Sequence, residues 1–179
     1  MSSTAAEPVQ YAQTRDGIVI IRVSGKATHL QCPSLRYIFE KTKQNQPPPR
    51  YIIDMDQCTS LDSTFMGMLA TMALHQRRAT GSAMIVTNIQ SHVRYLLGTL
   101  GLNFLLEMRS APDSSMADVR VDRFKPAESP TLSPTERLLM MIEAHENLVD
   151  VDSQNELKFE GVLKHLRDSL ERARRSDGQ

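Results

Sequence analysis

The chain has 179 residues, of which 40% are apolar and 23% charged, with no tryptophan. That is room for one ordinary domain and an appendage, and it excludes two large independent domains. Lys and Arg number 21 and Asp and Glu number 21, so no whole-molecule field draws the protein to nucleic acid or to an anionic membrane.

The charge is unevenly placed. Residues 1–110 carry 11 basic and 7 acidic side chains, and residues 111–179 carry 10 and 14, which suggests two functional pieces. The first ten residues have neither a basic n-region nor an apolar h-region. Residues 17–23 and 95–106, the most apolar stretches, fall well short of the roughly 20 residues that span a bilayer. Cys32 and Cys58 read as reduced thiols. The expectation is a cytoplasmic protein with no membrane segment.

Residues 1–8 are read as a disordered N-terminus. The β-branched run Gly17–Ser24, set between Asp16-Gly17 and Gly25, predicts a strand paired in a hairpin with Val9–Thr14. Pro33 opens a helix bearing Leu35, Ile38, Phe39 and Thr42, which ends before the stiff connector Pro47–Pro49. Arg50–Met55 is a second strand, and Asp56, Gln57, Thr59 and Ser60 form a loop. From Ser63 the apolar residues follow a 3.6-residue period to Gly81. Ala83–Thr87, a helix with Val93, Leu96, Leu97 and Leu100, and Phe104–Met108 complete the series.

Strands alternating with helices over residues 9–109 imply an α/β domain: a mostly parallel or mixed sheet of four to five strands with packed helices. Residues 110–133, rich in Ser, Pro and Asp, read as a linker draped on that domain, with one strand at Val119–Phe124. Ser133-Pro134-Thr135-Glu136 is a capping box, and Ser153–Glu156 repeats it. Each opens an amphipathic helix, the first with Leu138, Met141, Ile142, His145, Leu148 and Val149 on one face and the second with Phe159, Val162, Leu163, Leu166 and Leu170, giving a helical hairpin over 134–175. About 40 residues cannot bury both stripes alone. The hairpin therefore packs either on the α/β unit of its own chain or on another copy or partner.

The richest stretch for function is Ile53–Gly67. It delivers Asp62 and Ser63 to a helix N-terminus at the carboxyl edge of a parallel sheet, where such folds place their sites. The same residues also serve as a capping cluster, in which Asp, Ser and Thr stabilise the helix start by about 1 kcal/mol each. Ile53-Asp-Met-Asp-Gln-Cys-Thr-Ser-Leu-Asp62-Ser63-Thr64-Phe65-Met66-Gly67 resembles the signature of the STAS family. The flanks agree: Gly17–Gly25 is similar to its first core strand, Gly81–Val86 to its next strand, and Ser91–Leu102 to its final helix and turn. The resemblance spans residues 9–109 and implies a STAS-like fold.

Members of that family include bacterial anti-sigma factor antagonists, stressosome components and domains attached to anion transporters. In the antagonists a partner that is both serine kinase and anti-sigma factor phosphorylates the serine after the motif aspartate, and a serine phosphatase reverses it. Ser63 is the matching position, with Thr64 the alternative acceptor. The resemblance implies a partner-binding edge of Thr28, Asp56, Cys58, Ser60, Asp62, Ser63, Thr64, Phe65, Met68 and Met72. Phe65 stands where the motif has glycine, and Gly25-Lys26-Ala27-Thr28 lacks the family's acidic residue, leaving Thr28 as its polar substitute. Met66 is expected in the core, and a partly exposed Met68 or Met72 would give an adaptable docking face.

No enzyme is expected: neither a Gly-x-Ser-x-Gly elbow nor a P-loop occurs. His29, Cys32 and Cys58 lack the spacing of a zinc site, so no metal or cofactor is expected. His75 and His145 read as packing or surface residues. Arg77, Arg78 and Arg94 lack aromatic stacking platforms, which argues against nucleic acid. The reading is a non-enzymatic signalling module gated at Ser63. Its alternative is an unphosphorylated scaffold, with a homodimer formed through the hairpin.

Overall fold

The computed structural model describes residues 8–116 and 123–177. In chain order the elements are β1 (Val9–Gln13), β2 (Ile18–Val23), β3 (Gly25–Ala27), α1 (Cys32–Thr42), β4 (Arg50–Asp54), β5 (Cys58–Leu61) and α2 (Ser63–Thr80). They continue with β6 (Met84–Thr87), α3 (Ser91–Thr99), β7 (Leu106–Met108), β8 (Lys125–Pro126), α4 (Pro134–Val151) and α5 (Asn155–Asp177).

Strand β2 is apolar on both faces: Val19, Ile21 and Val23 join the main core, whereas Ile20 belongs to a second cluster with Ile52 and Ile85. Such a strand must be covered on both sides, as parallel sheets usually are. β2 pairs antiparallel with β1, and β4 lies parallel to β2, β6 to β4 and β7 to β6. Each crossover helix thus adds the next neighbour, and the main sheet has the order β7-β6-β4-β2-β1-β8. The expected α/β fold with a mostly parallel sheet and a C-terminal helical hairpin is what the chain adopts. Among the described residues the sheet has six strands, because β8 adds antiparallel to β1.

A second pairing escapes the periodicity. Cys58–Leu61, read as loop and helix approach, forms β5 and pairs parallel with β3. The strands have four and three residues, too few for an alternation to show. The predicted strand Val119–Phe124 falls mostly on residues 119–122, outside the described residues, as do residues 1–7 of the predicted disordered terminus. Met116 and Phe124 pack on the Ile20, Ile52 and Ile85 cluster.

Gln76 braces the domain from within helix α2. Its side chain, 1% exposed, accepts from the Tyr51 amide at 2.7 Å and donates to the Ala83 carbonyl at 2.9 Å. It thereby joins α2 to β4 and to the residue before β6.

The hairpin packs on its own chain. Helix α4 contacts both α2 and α5, so it is buried on two sides, and Met140 and Ala144 are buried beside the expected Ile142 and Leu148. The Ser133 cap is present: Ser133 Oγ accepts from the Glu136 amide, and Glu136 accepts from the Ser133 amide at 2.8 Å. Hydrogen bonds to the carboxylate, first from the Ser133 amide and then from the Ser133 side chain, hold the Glu136 carboxyl below its ordinary pKa. Helix α5 begins at Asn155, one residue later than a Ser153 cap predicts. The Asp152 carboxylate accepts from the Gln154 amide at 2.9 Å and shapes the turn instead. Phe159, Leu163, Leu166 and Leu170 make the buried stripe, while Val162, expected in it, is 41% exposed.

Candidate functional site

Helix α2 starts where the chain leaves the β5 strand. Asp62 is its N-cap in extended conformation, and Ser63 is the first helical residue. One Asp62 carboxylate oxygen accepts from the Phe65 amide at 2.8 Å, satisfying an otherwise orphan helix donor. The other accepts from the His29 amide at 2.7 Å and lies 3.3 Å from His29 Nδ1. The Asp62 amide donates to the Ala27 carbonyl at 3.0 Å. One aspartate therefore fixes the helix start and the loop after β3 to each other.

That loop holds Thr28 beside the site. Its hydroxyl donates to Gln31 Oε1 at 2.9 Å and accepts from the Leu30 amide. Leu30 is 66% exposed. His29, considered in the sequence only as a metal ligand, belongs to the edge through its contacts with Asp62. Among the described residues, no group of three or more His, Cys, Asp or Glu side chains could hold a metal ion.

Ser63 is half-buried. Its Oγ lies 3.0 Å from Nε2 of His145 on α4. His145 Nδ1 is 2.7 Å from the Met141 carbonyl. A carbonyl oxygen only accepts, so in the neutral ring Nδ1 carries the hydrogen and Nε2 accepts the Ser63 hydroxyl. The ring also meets Phe159 of α5 edge-on, with centroids 4.9 Å apart. His145 is 2% exposed and touches both hairpin helices. Sequence reading placed it as a packing or surface residue; it packs, and it also binds the hydroxyl of Ser63. They lie 82 positions apart in the chain, which leaves no local signal.

The remaining residues of the expected edge divide into two groups. Asp56 is exposed and Ser60, Asp62, Ser63 and Thr28 are half-buried, all on the loop side. Cys58, Thr64, Phe65, Met68 and Met72 are buried. The expectation of a partly exposed Met68 or Met72 is corrected: α2 lies between the sheet and α4, so both of its long faces are covered. Phe65 likewise fills the core at 0% exposure and does not belong to the exposed edge. A helix apolar on nearly all sides is one covered on more than one side, and the run Phe65–Ala70 carries that signal.

Neither thiol is poised to react. Cys32 and Cys58 are free and buried. Burial pushes the Cys58 thiol up to about 11 and the Cys32 thiol higher still, and a nucleophilic cysteine needs the opposite shift.

The STAS domain family model matches residues 11–115, and the chain belongs to that family. Among solved structures it is similar to the crystal structure of a candidate anti-sigma factor antagonist from Thermotoga maritima. That match has a TM-score of 0.51 and 14% identity, covering 62% of this chain and 92% of the other. It is also similar to the unphosphorylated form of the anti-sigma factor antagonist SpoIIAA, with a TM-score of 0.45 and 17% identity over 62% of this chain and 94% of that one. A comparison with curated proteins gives no match. Helices α4 and α5 lie beyond the span matched by the family model. Among the described residues no helix is long and apolar enough to cross a membrane.

Proposed function

We propose that this STAS-family protein is a non-enzymatic, cytoplasmic signalling module that works as an anti-sigma factor antagonist does. It binds an anti-sigma factor that is also a serine kinase, and that kinase phosphorylates Ser63. A serine phosphatase restores the hydroxyl. The observation that carries the reading is the position of Ser63: first residue of α2, next to the Asp62 cap, on an edge shared with the loop after β3. Family membership and the fold shared with a candidate anti-sigma factor antagonist support it.

The physics is that of a charge switch. A phosphate adds about −1.5 to −2 charge at pH 7, which the α2 N-terminus tolerates and Asp62 and Asp56 repel. A partner docked on Asp56, Ser60, Asp62, Thr28 and the exposed Leu30 would have to desolvate that charge. A loss of about 3 kcal/mol lowers affinity by more than a hundredfold. Domain boundaries follow the same reading: a STAS domain over 9–109, a linker over 110–133 and the hairpin after it. A homodimer, if formed through the hairpin, would use its exposed Leu139, Leu157 and Val162.

Mass spectrometry of the protein isolated from its own cells tests the switch, together with identification of proteins captured by wild-type, Ser63→Ala and Ser63→Glu baits. Expected are a phosphorylated peptide at Ser63 and a kinase-type partner lost with Ser63→Glu. Full coverage of residues 50–80 without phosphate on Ser63 or Thr64, with equal capture by Ser63→Glu, overturns the reading.

A further inference from the structure

We infer that the docked α4–α5 hairpin and a phosphate on Ser63 exclude each other, so that phosphorylation releases the hairpin from α2. The inference rests on Ser63 being the phosphoacceptor and adds a second consequence of its modification.

The geometry around the hydroxyl carries it. Ser63 Oγ and His145 Nε2 are 3.0 Å apart, a gap that one hydrogen fills and that a tetrahedral phosphorus with three further oxygens cannot enter. The imidazole has little room to yield, since Nδ1 is tied to the Met141 carbonyl and the ring is set against Phe159 in a T-shaped contact. Turning the phosphate outward instead leaves Nε2 buried without its donor and brings the new charge to Asp62, so both arrangements weaken docking.

The contact does not end at Ser63. Ser63, Gly67 and Thr71 recur every four residues along one face of α2 and meet His145, Ala144 and Asn147 of α4. A Cβ built on Gly67 would stand 2.7 Å from the Ala144 Cβ and closer still to its carbonyl. Asn147 Nδ2 donates to Thr71 Oγ1 at 2.7 Å. Helices this close have no slack, so displacing α4 at His145 opens the contacts of Ala144 and Asn147 on either side of it too. The hairpin keeps its own seam when it leaves, because α5 packs on α4. By linkage, docking shields the hydroxyl from a kinase as strongly as phosphate opposes docking.

Full-length protein with phosphoserine incorporated at position 63 during translation, compared by amide hydrogen exchange with the unmodified chain, tests this. The comparison needs no kinase, so its outcome is independent of whether cells phosphorylate Ser63. Expected is exchange faster by about tenfold or more in residues 63–72 and 134–151, with β2, β4 and β6 unchanged. Unchanged or slower exchange in α4, as for a phosphate held by His145, overturns the inference, and so does equal loss of protection in the sheet. As a second measurement, a Thr71→Cys/Asn147→Cys pair should form its disulfide about tenfold more slowly in the phosphorylated chain. An equal rate overturns the proposal as well.

Discussion

Gly67 and Ala144 meet backbone to backbone across the α2–α4 crossing, where any Cβ on residue 67 would collide with the Ala144 carbonyl. The family signature ends on this glycine, and here the glycine seats a helix from outside the matched domain. Gly67→Ala should force α4 away and destabilise the protein by about 1–3 kcal/mol, as overpacking does. Thermal or urea unfolding measures this, and amide exchange should localise the loss to α2 and α4. A stability equal to wild type would show that α4 seats more loosely than described.

The Ser63 and His145 pair is best weighed by a double-mutant cycle. Ser63→Ala leaves Nε2 buried and unpaired, at a cost of about 1–2 kcal/mol. His145→Ala also loses the Phe159 ring contact. The two should couple by about 1 kcal/mol in urea unfolding, whereas independent sites would add. Purely additive losses would mean that the hydrogen bond contributes nothing.

Asp62 should matter beyond its own helix. Asp62→Ala removes the N-cap of α2 and the acceptor for the His29 amide, and should cost about 1–2 kcal/mol. Asp62→Asn keeps a capping oxygen and should recover most of it. Exchange of the Phe65 and His29 amides reads both effects residue by residue.

Alkaline pH should destabilise the fold. Burial raises the Cys58 thiol from its ordinary value near 9 to about 11, and the Tyr51 hydroxyl from 10 to about 12. The folded chain therefore keeps protons that the unfolded chain releases, so this stability is intact below about pH 9 and is lost as pH rises through about 11 and 12. Melting temperatures across that window should fall, and Cys58→Ala should flatten the first part of the fall. At about pH 8 a thiol reagent should modify neither cysteine until denaturant is added.

Much of this architecture was legible because it is local. The Asp62 to Gly81 limits of α2, the Ser133 capping box and the three crossovers each leave a mark within one turn or one strand. The β3–β5 ladder was not legible, since three and four residues carry no period and the partners lie far apart in the chain. For the candidate site the split is similar: Asp62 and Ser63 were readable from the strand-to-helix turn. The burial of Phe65, Met68 and Met72 depended on where α4 lands. The hairpin's stripes demanded a cover without naming it.

Strand β8 clips Lys125–Pro126 onto the edge of the sheet, and α4 begins only eight residues later, at Pro134. A detached hairpin would thus stay on a short leash. Its return is an intramolecular event at an effective molarity in the millimolar range for tethers of this kind. Such an equilibrium does not depend on the protein's own concentration, and a rival for the α2 face must outcompete a ligand that never diffuses away.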